Sequence, residues 1–213
     1  MDQALANIIP VALLVAAIAL ALGFAFWYRH RAQENLAALA ARLGFQIIPQ
    51  PSAFGIITRL PNLEGRFQQR DARFFSYTKN YGKHSQTFSV ATVKYAGNGN
   101  LILQLRPVSS FFKFLTGRQL EVFRTDDSDF DKSFPARSNQ PQEAKNLLTP
   151  EIRAELLEAR RQCGRRCGRL VIENGEVRLT VQGSFASPRV AGYLEARLPL
   201  LCRLADQVER QKI

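Results

Sequence analysis

The stretch RFFSYTKNYGKHSQTFSVATVKY, residues 73–95, decides the fold. Thr87 to Tyr95 alternates and is rich in Val, Thr, Phe and Tyr, the composition of a pleated, half-buried strand. Arg73 to Lys79 reads as its partner, and Asn80-Tyr81-Gly82-Lys83-His84 as the loop tip between them. Toward the C-terminus, Ala96-Gly97-Asn98-Gly99-Asn100 is a turn, and Leu101 to Arg106 is a further strand ending at Pro107. Toward the N-terminus, Arg66-Phe67-Gln68 forms a short strand. Phe45 to Ile48 is another, stopped by Pro49 and Pro51, which cannot donate to a ladder. The expectation for Leu63 to Arg106 is an antiparallel meander of consecutive hairpins.

Helical signals dominate further on. Asp126 to Phe134 suggests a short capped helix, and Pro141 to Leu148 another. Thr149 is an N-cap followed by Pro150 at the first helical position and Glu151 in the first turn. The apolar face of that helix is Ile152, Leu156, Ala159 and Cys163. Leu170-Val171-Ile172 and Val177 to Val181 flank Asn174-Gly175, the signature of a type I′ hairpin. Ser187-Pro188 opens a C-terminal helix with the stripe Val190, Leu194, Leu198, Leu201, Ala205 and Val208, in which Pro199 predicts a kink or break. The order helix, strands, helices, hairpin, helix predicts α+β, with an antiparallel sheet and helices packed on one face.

The N-terminal region has another character. Ile8 to Tyr28 is 21 residues without a charge, long enough at about 1.5 Å per residue for a hydrocarbon core of roughly 30 Å. A signal peptide needs a basic n-region and a small-residue cleavage site. Here the start is Met1-Asp2-Gln3-Ala4, and the run ends in Phe24, Phe26, Trp27 and Tyr28. The expectation is an uncleaved transmembrane anchor over 1–28, a juxtamembrane helix over 29–44 and an α+β domain over 45–213. Arg29 and Arg31 follow the span and only Asp2 precedes it, so the N-terminus is expected outside and the domain cytoplasmic, at a bacterial inner membrane. Trp27 and Tyr28 would sit at the interface. Ala12 and Ala16, then Ala19 and Gly23, place small residues at helical spacing, which would let a partner helix approach closely. The juxtamembrane stripe Leu36, Leu39, Ala40 and Leu43 continues the same helix to Gly44.

The chain of 213 residues carries a net charge of +11. Such a balance points to polyanions. Since Asp2 alone precedes Arg29, everything from Arg29 onward carries +12. The basic residues fall in three groups: Arg153, Arg160, Arg161, Arg165, Arg166 and Arg169; Lys79, Lys83 and His84; and Arg106, Lys113 and Arg118. RNA-binding sheets interleave basic and stacking residues. Arg73-Phe74-Phe75-Ser76-Tyr77 echoes this only faintly, so no nucleic acid is expected. A tethered domain gains roughly 1 kcal/mol per Lys or Arg near an anionic leaflet, which makes anionic lipid head groups the expected partner. Phe111-Phe112-Lys113-Phe114-Leu115 could enter that interface, with Lys113 and Arg118 at head-group level, or pack inward as a core segment.

Catalytic signals are sparse. The sequence holds no G-x-S-x-G, no Walker loop and no H-E-x-x-H, and its two histidines, His30 and His84, stand near no nucleophile motif. Cys163-Gly-Arg-Arg-Cys167 has C-x3-C spacing, whereas structural zinc wants C-x2-C knuckles with a second ligand pair. Cys202 is the third and last cysteine. An odd count does not suit a secreted disulfide framework and fits reduced thiols. The acidic run from Asp126 to Asp131 resembles a calcium loop, but Lys132 stands where Gly is required and Ser138 where Glu is required. No catalytic residue, metal or cofactor is expected.

The anchor and Leu/Ala-rich helix ending in Leu43-Gly44-Phe45, the Tyr77…Tyr81-Gly82-Lys83…Thr87 hairpin, Asp129-Phe130-Asp131-Lys132-Ser133-Phe134, and Ala144…Leu147-Leu148-Thr149-Pro150 carry a resemblance that covers most of the chain. The sequence resembles a broad family of uncharacterised bacterial single-pass membrane proteins. The resemblance implies an anchored cytoplasmic α+β domain and brings no activity or cofactor with it; the Cys163–Cys167 segment lies outside its motifs. The expected role is a non-enzymatic accessory or scaffolding subunit packing against other integral membrane subunits. The alternatives are a thiol- or metal-dependent sensor built on Cys163 and Cys167, and a stand-alone binder of anionic lipid surfaces.

Overall fold

The computed structural model describes residues 2–50, 60–82, 84–97, 100–107 and 120–211, with the side chains at 2–12, 15, 25, 28 and 165 outside the description. Lys83, Phe111, Phe112, Lys113 and Arg118, and the side chains of Ala12, Tyr28 and Arg165, therefore lie outside the described residues.

The chain opens with one long helix, α1 (Asp2–Leu43). The expected single rod from Ile8 to Leu43 is thus continuous in backbone. Among the described residues, no helix is long and apolar enough to cross a membrane. The sheet strands are β1 (Gln46–Ile48), β2 (Asn62–Phe67), β3 (Arg70–Tyr81), β4 (His84–Lys94), β5 (Leu103–Leu105), β6 (Glu121–Phe123), β7 (Ala136–Ser138), β8 (Cys167–Glu173) and β9 (Glu176–Gln182). The helices between and after them are α2 (Ser128–Ser133), α3 (Pro141–Leu147), α4 (Pro150–Cys163), α5 (Pro188–Glu195) and α6 (Leu198–Arg210). A 3-10 turn, Gly164–Arg166, joins α4 to β8.

Among the described residues, the nine strands form one sheet in the order β1-β2-β3-β4-β9-β8-β5-β7-β6, with every pairing antiparallel. This corrects the expected meander. The β8–β9 hairpin is inserted between β4 and β5, so β4 pairs with β9 and β5 with β8. The burial of the inserted strands gives the reason. Leu170, Val171 and Ile172 are all buried, as are Val177, Leu179, Thr180 and Val181. A near-continuous buried run belongs in the middle of a sheet, where it gains ladder bonds on both edges. The connection after β4 crosses the end of that hairpin, where the Tyr95 amide donates to the Gly175 carbonyl at 2.9 Å. Asn174 and Gly175 both have positive φ, 53° and 75°, as a type I′ turn demands. The β2–β3 turn uses the same left-handed conformation at Gln68 and Gln69, so Gln68 lies in the turn and not in the strand expected for it.

One face of the sheet packs against helices. Leu63, Phe74, Ala91, Val93, Leu103, Leu105, Leu170, Ile172, Val177 and Leu179 form a single core with Leu36 and Leu39 of α1, Ile152 and Leu156 of α4, Val190 and Leu194 of α5, and the inner side of α6. Asp127 caps α2 by accepting from the Asp129 and Phe130 amides, and Thr149 caps α4 by accepting from Ile152. The expected C-terminal helix is broken into α5 and α6. The interruption falls at Ala196–Arg197, which lets Pro199 occupy the first turn of α6, where its missing N–H costs nothing.

Candidate functional site

Two features of the molecule are not explained by folding alone: the outer part of α1 and the thiol pair at the end of α4.

The inner end of α1 is rooted in the domain. Leu36, Leu39 and Ala40 are buried, and Phe45 just beyond the helix stop packs with its ring 6.0 Å from that of Phe74. Asn35 donates from Nδ2 to the Ala186 carbonyl at 3.1 Å. Arg42 forms a forked pair with Glu195 of α5, at 3.3 Å from Nε and 2.9 Å from Nη2. The hydrogen bond to Glu195 raises the Arg42 pKa, with the carboxylate charge adding to it. Apolar burial fixes the angle of α1, and these polar contacts set its rotation.

The outer part behaves differently. Leu13, Leu14, Ile18, Leu20, Leu22, Phe24, Phe26 and Trp27 are each between 51% and 76% exposed. At about 100° per residue these positions are distributed around the whole circumference of the helix. A helix packing one stripe on a domain would leave only polar groups outside. Ala16, Ala19 and Gly23 are also exposed, and nothing lies within 4 Å of a Cβ placed on Gly23. At the domain-side end, Phe24 and Trp27 pair at 6.0 Å, Arg31 stacks over Trp27 at 5.7 Å, and His30 approaches Glu34 at 3.3 Å.

The basic residues expected to meet lipid or a partner are dispersed. Arg29 and Arg31 are exposed on α1. Lys79 lies over the Tyr81 ring at 5.3 Å on the β3–β4 ribbon, which extends beyond both neighbouring strands. Arg161 is exposed and paired with Glu158 at 2.6 Å, and Arg166 is exposed beside Cys163. Arg160 turns inward: it donates to the Ser133 carbonyl and stacks over Phe134 at 5.6 Å, so its role is to hold α4 on the segment after α2. Arg153 likewise donates to the Thr125 carbonyl at 2.6 Å.

The sheet brings together a group that sequence distance hides. Registered partners share a face, so Arg73, Thr92, Arg178, Val171, Gln104, Arg137 and Val122 form one row across the face opposite the helices. Arg106 lies close enough to Arg169 and Arg137 that, after burial itself, their charges hold its pKa below the usual guanidinium value. The signal was present in β8 and β9, where Arg169 and Arg178 interrupt otherwise apolar runs. Toward β1, the same face forms an open cleft of about 540 Å³ lined by Glu64, Arg66, Asp71, Arg73 and Lys94. Among its charges, Arg73 pairs with Glu64 at 3.4 Å and Arg66 with Asp71 at 3.8 Å.

The thiols divide two and one. Cys163 and Cys167 are both buried, at the two ends of the 3-10 turn, near enough for each to shift the other's pKa. Cys167 Sγ is 3.8 Å from Tyr193 Oη and 3.7 Å from the Ala159 carbonyl. Cys202 is elsewhere, donating to the Phe67 carbonyl at 3.9 Å, with burial pushing its pKa up to about 11. Among the described residues, no group of three or more His, Cys, Asp or Glu side chains could hold a metal ion.

No family model and no curated protein matches the chain. Among solved structures it is similar to the crystal structure of the mycobacterial trehalose monomycolate transport factor A, TtfA, with a TM-score of 0.54 at 11% sequence identity. The likeness covers 84% of this chain and 95% of that one. At such identity it is a likeness of fold.

Proposed function

We propose that the chain is a membrane-anchored, non-catalytic accessory or scaffolding subunit of a larger membrane protein assembly. In this reading α1 is the anchor, spanning the bilayer over about residues 8–28, and the α+β domain docks at the cytoplasmic face. The observation that carries it is the outer part of α1, where large apolar side chains are exposed on every side of the helix. A helix that is apolar all round needs an apolar environment all round, which a bilayer or a bundle of neighbouring helices supplies. The uncharged run Ile8–Tyr28 gives the length, and Arg29 with Arg31 gives the orientation.

Two further points support the reading. The polar and apolar root at Asn35, Leu39 and Arg42 couples the helix firmly to the domain, as a scaffold requires. The fold is also shared with a protein described as a transport factor, TtfA, which fits a role in assisting a membrane process. Small residues at Ala16, Ala19 and Gly23 offer the face for a partner helix. The +12 carried from Arg29 onward favours anionic head groups beneath the domain.

The test is membrane fractionation of the full chain followed by detergent extraction and affinity capture. The expected result is resistance to carbonate extraction, together with stoichiometric co-purification of an integral membrane protein. Recovery in the soluble fraction would overturn the anchor. Recovery from membranes as a lone monomer would overturn the subunit role.

A further inference from the structure

Cys163 is the last residue of α4 and Cys167 the first of β8, and the 3-10 turn Gly164–Arg166 folds one back onto the other. The two thiols meet beneath α5, where Tyr193 closes over them. Cys163 also lines a cavity of about 290 Å³ bordered by Gln162, Arg166, Arg189, Val190 and Tyr193. Cys163 thus faces a surface opening large enough for a small polar oxidant, and Cys167 lies behind it against Tyr193, which borders the same opening. We propose that Cys163 and Cys167 form a redox-responsive dithiol that closes to an intramolecular disulfide when hydrogen peroxide enters this cavity.

The surroundings favour a thiolate within the pair. The charges of Arg160 and Arg197 act on Cys167 and that of Arg166 on Cys163, with burial opposing at both. Low-pKa thiols in electropositive settings are the ones that attack peroxides, and a neighbouring thiol resolves the product. One sulfur of the pair attacks an oxygen of hydrogen peroxide, the O–O bond breaks, and the departing oxygen leaves as water with the proton that thiol gives up. That cysteine is then a sulfenic acid. The other sulfur attacks it, the S–O bond breaks, and that oxygen leaves as a second water with the proton of the second thiol. Two thiols are oxidised and one peroxide is reduced to two waters. Cys202, packed against Phe67 on α6, takes no part.

Trypsin makes the outcome legible, because it cuts after Arg161, Arg165, Arg166 and Arg169. The full chain, purified reduced in detergent, is treated with a small excess of hydrogen peroxide, then alkylated, denatured and digested. The free thiols should fall from three to one, and the peptides Gln162–Arg165 and Cys167–Arg169 should appear joined, separating again with dithiothreitol. In Cys163→Ser or Cys167→Ser, the remaining thiol of the pair should be trapped by dimedone as a sulfenic acid. In Cys202→Ser the joined peptides should still form. Three thiols surviving peroxide, sulfinic acid without a joined pair, or oxidation confined to Cys202 would each overturn the proposal. Should Cys163→Ser fail to fold, the peptide map of the unmodified chain and of Cys202→Ser still decides it.

Discussion

Arg70 shows how one side chain can tie distant segments together. It follows a tight turn and would ordinarily be solvated, yet its side chain is only 16% exposed. Its guanidinium reaches Asp206 at 2.8 Å from Nε, and Glu209 at 2.8 Å from Nη1 and 2.6 Å from Nη2. Glu209 also accepts from the Ala96 amide at 2.5 Å. The clamp therefore joins β3, the β4–β5 connection and α6. Removing one partner of such a network leaves the rest unsatisfied, so Arg70→Ala should destabilise the domain by about 1–3 kcal/mol, read as a lowered midpoint in urea. The pH dependence has a definite sign. The Arg70 hydrogen bond holds the Glu209 carboxyl down to about 2, from an ordinary value of 4.5. A depressed carboxyl stabilises the fold above its unfolded pKa, and that stabilisation is lost as pH falls through the folded value. The thermal midpoint should thus drop between about pH 4.5 and pH 2, and Glu209→Gln should flatten that limb while lowering the midpoint at neutral pH. Nothing local to Arg70 reveals this role, because its acidic partners lie 136 and 139 residues away.

At the scale of the element, local chemistry was legible and pairing was not. The caps at Asp127 and Thr149, the Asn174-Gly175 turn and the stripe of α4 all follow from side chains acting within a few residues of themselves. Strand order depends on which edges meet after collapse, and a period-two pattern carries no information about that. The strands β6 and β7, three residues each, are too short for alternation to register and form only because β5 offers an edge to β7. The thiol pair was visible as spacing, whereas its cavity and the cover of Tyr193 required the folding of α5 over β8. The β8–β9 hairpin also contains a close backbone approach. The register shifts between Cys167 and Leu170, and a Cβ on Gly168 would lie 2.0 Å from the Thr180 carbonyl oxygen. That neighbour is backbone in a central strand and has nowhere to move. Gly168→Ala should therefore cost about 3 kcal/mol, the upper end of overpacking penalties. Faster hydrogen exchange at β8 and β9 than at β2 and β3 would locate the damage; an unchanged unfolding midpoint would mean the bulge relaxes freely.

The whole molecule separates into a packed domain and a projecting helix, and the two can be tested apart. The contribution of α1 to the core begins at Ala32 and Leu36, while Leu20 and Leu22 are exposed far from it in sequence. Substitutions at Leu20 and Leu22 should therefore leave the domain's unfolding midpoint within experimental error. The same positions fall in the middle of the run Ile8–Tyr28, where a charged side chain at a bilayer centre costs about 2.5–3.5 kcal/mol each. The double variant Leu20→Arg, Leu22→Arg should lose roughly 5–7 kcal/mol of insertion free energy by the same scale, enough to empty the membrane fraction. Leu20→Phe with Leu22→Phe should stay in it. The polar root makes the complementary prediction. Arg42→Ala removes the pair with Glu195 but leaves Leu36 and Leu39 buried. That variant should remain in the membrane and leave the domain's unfolding midpoint nearly unchanged, as a largely exposed ion pair allows. If the arginine pair in the helix middle changed domain stability as much as partitioning, α1 would be a structural helix of the domain and the anchor reading would fail. If Arg42→Ala released co-purifying partners while the chain stayed in the membrane, the helix rotation set by the Arg42–Glu195 pair would be part of what those partners recognise.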